Sequence, residues 1–402
     1  MLDHVRHVPL QPLAWTANEA CSAIDEIVSD AHTHFDEQRF WPSHPLEDGL
    51  PDGHPSLYAG ATGVIWALQY LERIGATESH FDFRPVLPRL IAASTAQFAN
   101  GQSDAYAKDP YAKHGSFLLG DMGTALLVMR LAPRSDIADL IKSRATANME
   151  LPIRGLMWGM PGSMLVCIHM AGMTKDAPWK ALFGLQASRL LDQLEDTADG
   201  PLWTHDLHGR HHRFLGALHG YAGNMIPLIH GWNWLSAEQR GRITDAIPKT
   251  LAANARRSNM GASWRAIVGH DETPVLCQHC HGAPGMVTTF ADAPFASPDL
   301  DKLLADGGYF AWTTGPLAKG SNLCHGTGGI GYAFLKLYRR TKDPVWLERA
   351  RAFAMTAINQ CRAARKRYGR GRYSLWTGDV GLAIYLWDCV TGEPRFPTID
   401  VF

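Results

Sequence analysis

The chain has 402 residues, 46% of them hydrophobic, and 38 Lys and Arg against 39 Asp and Glu leave a formal net charge of −1. That is ample apolar material for a large core, and so even a balance supplies no global field to draw in nucleic acid or an anionic membrane. No apolar stretch approaches the roughly 18 residues of a bilayer-spanning helix, and the opening MLDHVRHVPLQPLAW lacks the basic segment and apolar run of a secretory signal.

From residue 60 onward one pattern recurs in chain order: Gly-x-x-Gly opening an apolar run. The copies are YAGATGVIWALQYL (Gly60, Gly63), LLGDMGTALLVMRL (Gly120, Gly123), MWGMPGSMLVCIHM (Gly159, Gly162) and LHGYAGNMIPLI (Gly220, Gly223). CHGAPGMVTTF (Gly282, Gly285), CHGTGGIGYAFLKLY (Gly326, Gly329) and LWTGDVGLAIYLWDCV (Gly378, Gly381) complete the seven. One such tetrad means little, but seven define a repeat. The first glycine is expected to allow a tight turn at positive φ and the second a close backbone approach. The runs that follow are apolar almost all round, as fully buried helices are.

Between the runs lie amphipathic, charged segments such as APWKALFGLQASRLLDQLEDT, AEQRGRITDAIPKTLAANARR and DPVWLERARAFAMTAINQCRAARKRY. Their apolar residues fall at helical spacing, and Ser236 and Asp343 stand where helix starts belong. Each unit therefore reads as one outer amphipathic helix and one inner apolar helix, with little strand-like alternation. The terminal copies are as apolar as the middle ones, and an open solenoid would need polar caps there. The expectation is an all-α, single-domain chain over 1–402: a closed α/α toroid of seven helix pairs, its glycine turns gathered at one end around a cavity. The Gly-, Pro- and His-rich loops WPSHPLEDGLPDGHPS, GQSDAYAKDPYAKHGS and LWTHDLHGRHHRFLGALHG would wall that cavity.

Seven cysteines (21, 167, 277, 280, 324, 361 and 389) cannot all pair within the chain. Contexts such as MLVCIHM and LWDCV suit buried, reduced thiols, and a soluble cytoplasmic protein follows. Cys280, Cys324 and His325 differ, because Cys-His-Gly recurs just before the glycine turn of two successive repeats. Two thiolates and an imidazole make three zinc ligands with the fourth position open, the arrangement of a catalytic site. Helix N-termini beneath them would favour thiolate over thiol. A rival uses Cys277 of Cys277-Gln-His-Cys280 as a fourth ligand, which would close the site. Packing of small residues near glycine turns is the plain alternative to both. His219 takes the same position before Gly220, so its register aims it at the same cavity as an acid or base. His205, His208, His211 and His212 fit no standard spacing and read as a solvated loop.

These motifs, with HCHGAPG, LCHGTGGIGYAFLKLY and ALHGYAGN among them, resemble the lanthionine synthetase C-like family over essentially the whole chain. The likeness is nearer to its eukaryotic-type, glutathione-binding branch than to the dedicated lantibiotic cyclases. The resemblance implies one zinc held by Cys280, Cys324 and His325. It also implies a reaction in which a thiol, from glutathione or a peptide cysteine, adds to dehydroalanine or dehydrobutyrine in a peptide or protein to give a thioether. His219 matches the family's acid/base histidine. Lys319 matches a glutathione-binding lysine, and an arginine contact falls within 362–372, with Arg367, Arg370 and Arg372 the candidates. His279 replaces an aromatic residue of the family and Leu276 an arginine of the cyclases. Arg154 and Gly155 stand near where those cyclases carry an aspartate.

Two other functions remain open at this level. One is a zinc-dependent glutathione- or peptide-binding module without turnover. The other is a glycosidase, whose two carboxylates could only be Asp121 and Asp379 among the glycine turns.

Overall fold

A computed structural model describes residues 4–47, 49–100, 115–207, 210–270 and 272–402. Its inner helices are α2 (Ala61–Arg73), α4 (Asp121–Leu131), α6 (Met160–Thr174), α8 (Tyr221–His230), α10 (Ala283–Phe290), α12 (Thr327–Thr341) and α14 (Asp379–Thr391). The outer partners are α1 (Ala17–Thr33), α3 (Leu87–Asn100), α5 (Ser135–Ala147), α7 (Ala177–Asp192), α9 (Ala237–Asn254), α11 (Pro298–Thr314) and α13 (Pro344–Tyr368). Two short hairpins, β1–β2 (His205–Leu207, Arg210–His212) and β3–β4 (Arg256–Ser258, Gly261–Ser263), were not expected from the sequence.

The outer helices start where local chemistry starts them. Ser236 forms a reciprocal capping box with Gln239 ahead of α9, and the Asp343 side chain accepts from the Val345 amide ahead of α13. The inner helices have no side-chain cap. Each begins at the first glycine of its tetrad, and α4, α6, α8, α10 and α14 are buried along most or all of their length.

Ring closure is visible in the packing. Each inner helix touches the next from α2 through α14, and α14 returns to α2. The second glycine of every tetrad receives a neighbouring turn at close range. A Cβ on Gly123 would lie 2.8 Å from Leu57 Cβ, on Gly162 3.1 Å from Phe117, on Gly285 3.0 Å from Ala217, and on Gly329 3.0 Å from His279. On Gly63 it would lie 2.8 Å from Leu375, which belongs to the seventh repeat. Backbone bonds tie the turns together likewise: Tyr58 N donates to Leu118 O (2.9 Å), Cys280 N to Cys324 O (3.1 Å), Cys324 N to Trp376 O (2.9 Å) and Trp376 N to Tyr58 O (3.0 Å).

The expected reason for the first glycine needs correction. Only Gly282 has positive φ (+114°); the other six N-cap glycines are extended, between −91° and −156°. What excludes a side chain there is space. A Cβ on Gly60 would meet His54 O at 2.0 Å, and on Gly378 it would meet Arg372 O at 2.2 Å. The loop just upstream folds its backbone onto each of these glycines, so close approach, not left-handed backbone, selects the residue.

Candidate functional site

The ring gathers seven helix N-termini at one end, each carrying partial positive charge that favours anions. Just ahead of the caps, the two residues before each first glycine form a rim. That rim contributes Tyr58, Ala59, Leu119, Met157, His219, Cys280, Cys324, His325 and Thr377 to a cavity of about 220 Å³. Lys319 and the loop residues Glu47, Leu50 and His54 complete its wall. The sequence-predicted residues Cys280, Cys324, His325, His219 and Lys319 therefore share one cavity. Of the expected loops, the first does wall it; residues 101–114 of the second, and His208 in the third, lie outside the described residues.

Cys280 and Cys324 behave as an unequal pair. The hydrogen bond from Cys324 is the chief cause that holds Cys280 below the usual thiol range, against burial and aided by Gln278 and Lys319. Burial and the neighbouring Cys280 sulfur push Cys324 well up. Gln278 Nε2 donates to Cys280 Sγ at 2.9 Å, and Tyr58 lines the cavity along with Cys324. Burial drives His325 down to about 3, with Lys319, Arg372 and Arg6 adding to the effect, so its imidazole is neutral at neutral pH. Its buried Nε2 has no hydrogen-bond partner.

Two thiols beside a neutral imidazole with an unused nitrogen make a donor set that suits zinc. The three ligand atoms are not all within 4.8 Å of one another. Among the described residues the trio that meets that spacing is His230, Asp292 and Asp400, at the C-terminal ends of the inner helices. That trio already has its cation: Lys336 Nζ lies 2.5 Å from both Asp292 Oδ2 and Asp400 Oδ2, and Arg339 also bonds Asp292. We therefore regard the cysteine end as the metal candidate.

Cys277 does not line that cavity, and burial pushes its thiol up to about 12. His219 stacks on His281 with ring centroids 5.4 Å apart. Gly155, at φ +121°, packs its backbone against Leu218 O and His219. The Arg154 side chain turns away to Gln193 and the Thr204 carbonyl. His205 is buried and bonded to Arg154 O rather than solvated.

The arginine candidates separate. Arg367 is exposed and lies over the Tyr368 ring. Arg370 lines a recess shared with Lys319 and Arg372, beside the main cavity. Arg372 is buried, with Nε 2.5 Å from Glu47 Oε1. Glu47 also accepts from Ser374 and Thr377 at 2.6 and 2.8 Å, which clamps the first loop over the cavity. The two carboxylates a glycosidase would need are engaged elsewhere. Asp121 is fully buried against Arg144 at 2.9 Å, and Asp379 is buried against the Arg372 amide and Cys361.

Tyr58, Gln278 and Glu47 were not anticipated. Tyr58 had a readable signal, since it holds in the first repeat the register that Cys280 and Cys324 hold in theirs. Glu47 had none, because only tertiary folding brings its loop to the rim.

Residues 51–401 match the family described as lanthionine synthetase C-like protein. "Glutathione S-transferase LANCL1" of Danio rerio is 31% identical over 192 residues, 47% of this chain and 46% of that protein. "LanC-like protein GCL1" of Arabidopsis thaliana is 32% identical over 199 residues, 47% of this chain and 44% of that protein. The matched region thus spans less than half the length of these curated relatives. Among solved structures, "Nisin cyclase" superposes with a TM-score of 0.58 at 13% identity, over 92% of this chain and 98% of that one, a likeness of fold.

Proposed function

The chain belongs to the lanthionine synthetase C-like family, and from that premise we propose that it joins a thiol to a dehydroalanine or dehydrobutyrine residue to form a thioether. The thiol is glutathione or a peptide cysteine, and the work is done in the cytoplasm by one domain, residues 1–402. The observation that carries the reading is that Cys280, Cys324, His325 and His219 line one cavity.

Cys280, Cys324 and His325 would hold zinc, which lowers the pKa of a coordinated thiol and so supplies thiolate at neutral pH. The chain's own residues do the rest. Lys319, with Arg370 in the adjoining recess, offers positive charge to the carboxylates of an anionic thiol such as glutathione. Sulfur attack on the β-carbon sends the alkene electrons toward the carbonyl, and a proton must then reach the α-carbon. His219, facing the same cavity, is placed to deliver it. Thiol and alkene are consumed and the thioether is the sole product, so no oxidant or leaving group is needed. Glu47, Leu50 and His54 restrict water at the mouth.

The test is incubation with glutathione and a dehydroalanine peptide, followed by mass spectrometry for the adduct. Product that persists after chelation and in Cys324→Ala would reject the reading. A non-catalytic binding module is the second reading, favoured by Leu276 standing where the lantibiotic cyclases carry an arginine and by Arg154 and Gly155 lying near where they carry an aspartate. Tight glutathione binding with no adduct from any dehydroamino-acid peptide would select it. Among the described residues no helix is long and apolar enough to cross a membrane.

A further inference from the structure

A site in which Cys280, Cys324 and His325 bind zinc has a problem of selectivity, and the inference drawn from it rests on that metal reading. Two protein thiolates and one incoming thiolate would face the same electrophile. Only attack by the incoming sulfur is productive; attack by either cysteine would alkylate the protein and destroy the site.

The structure gives one of the two protein sulfurs a fixed donor. Gln278, from the loop before α10, donates through Nε2 to Cys280 at 2.9 Å. The amide is not free to turn, because Arg6 Nη2 donates to Gln278 Oε1 at 3.2 Å. Arg6 is in turn held by a strap on which Ala318 N donates to Arg6 O at 2.8 Å and Val8 N to Pro316 O at 2.9 Å. An oxygen anchored by a guanidinium leaves only the amide NH2 to face the sulfur.

We propose that Gln278 is a positioning residue that keeps Cys280 a spectator sulfur, with Arg6 fixing the Gln278 amide for that task. A hydrogen bond to thiolate draws charge from the lone pair that would attack carbon, and outer partners of this kind tune a metal site as strongly as the ligands do. The donor serves one sulfur only, so its loss has a one-sided signature that general loosening lacks.

Wild type, Gln278→Met and Arg6→Ala are prepared with zinc, and the zinc content of each is measured in saturating zinc buffer. They are then treated with excess iodoacetamide, and each cysteine is followed by peptide mass spectrometry as the S–C bond forms and iodide leaves. Loss of the hydrogen bond to a charged sulfur is expected to raise alkylation about tenfold at Cys280 in Gln278→Met, with Cys324 unchanged. Arg6→Ala is expected to reproduce the Gln278→Met pattern at Cys280. Unchanged rates at both sulfurs in zinc-loaded variants overturn the proposal and leave the metal reading standing. Equal acceleration at both sulfurs in each variant, the mark of a loosened fold, overturns it as well. Wild-type protein that takes up no zinc overturns the metal reading and the proposal together.

Discussion

Substitution of Gly63 by Ala tests the closure of the ring at its seam. The added Cβ would stand 2.2 Å from Leu57 O in its own turn and 2.8 Å from Leu375 Cβ in the seventh repeat. Both lie below the 3.0 Å that real Cβ contacts respect, and neither neighbour is the loose end of a flexible side chain. The first and last repeats must therefore part, and overpacking of this kind costs about 3 kcal/mol or more. Globular proteins unfold with roughly 2.1 cal/mol/K per residue, so 402 residues make about 3 kcal/mol equal to a fall of about 4 °C in Tm. Gly241 in α9 is the control, because a Cβ there meets nothing within 4 Å. Gly241→Ala should raise Tm by about 1 °C through helix propensity. Differential scanning calorimetry of the two variants decides the matter. A Gly63→Ala protein that melts with or above the wild type would refute the packing described at the seam.

Three further outcomes are expected at particular groups. Lys336→Met removes the buried cation between Asp292 and Asp400, and denaturant titration should show a loss of about 3–5 kcal/mol. His205 and His279 are almost fully buried and pushed down to about 4 and about 3 by burial, against 6.5 when exposed. Below pH 6.5 the unfolded chain binds protons that the native chain does not, so stability is lost as pH falls from 6.5 toward 4. At pH 5 the two together should cost on the order of 4 kcal/mol, measurable as a drop in the urea midpoint between pH 7 and pH 5. His219→Asn should lower kcat for thioether formation by 10²–10⁴ on the order of magnitude usual for a lost acid or base, while glutathione binding by calorimetry stays near the wild-type value.

The helix pairs were legible because their signal is local and repeated. Seven glycine tetrads and the 3.6-residue spacing of segments such as Pro344–Tyr368 each report on a few turns of chain, and periodicity survives the loss of tertiary context. The site was legible where it lay in register: Cys280, Cys324, His325 and His219 occupy corresponding places in their repeats. What stayed hidden was non-local. Glu47 reaches the rim only because Arg372, Ser374 and Thr377, more than 300 residues away, hold its loop there. Cys277 sits three residues from Cys280, yet it does not line the cavity, since an extended turn sends successive side chains to different sides. The role of the first glycine was misjudged for a similar reason. Backbone conformation and steric room both favour glycine, and only coordinates tell them apart.

The measurement that bears most directly on the site is metal stoichiometry. Purified wild type and Cys324→Ala, handled under reducing conditions, would be compared by inductively coupled plasma mass spectrometry. One zinc per wild-type chain, lost from Cys324→Ala while the helical circular dichroism remains, is the expected result. A folded wild-type chain without zinc, or zinc retained in full by Cys324→Ala, would contradict it.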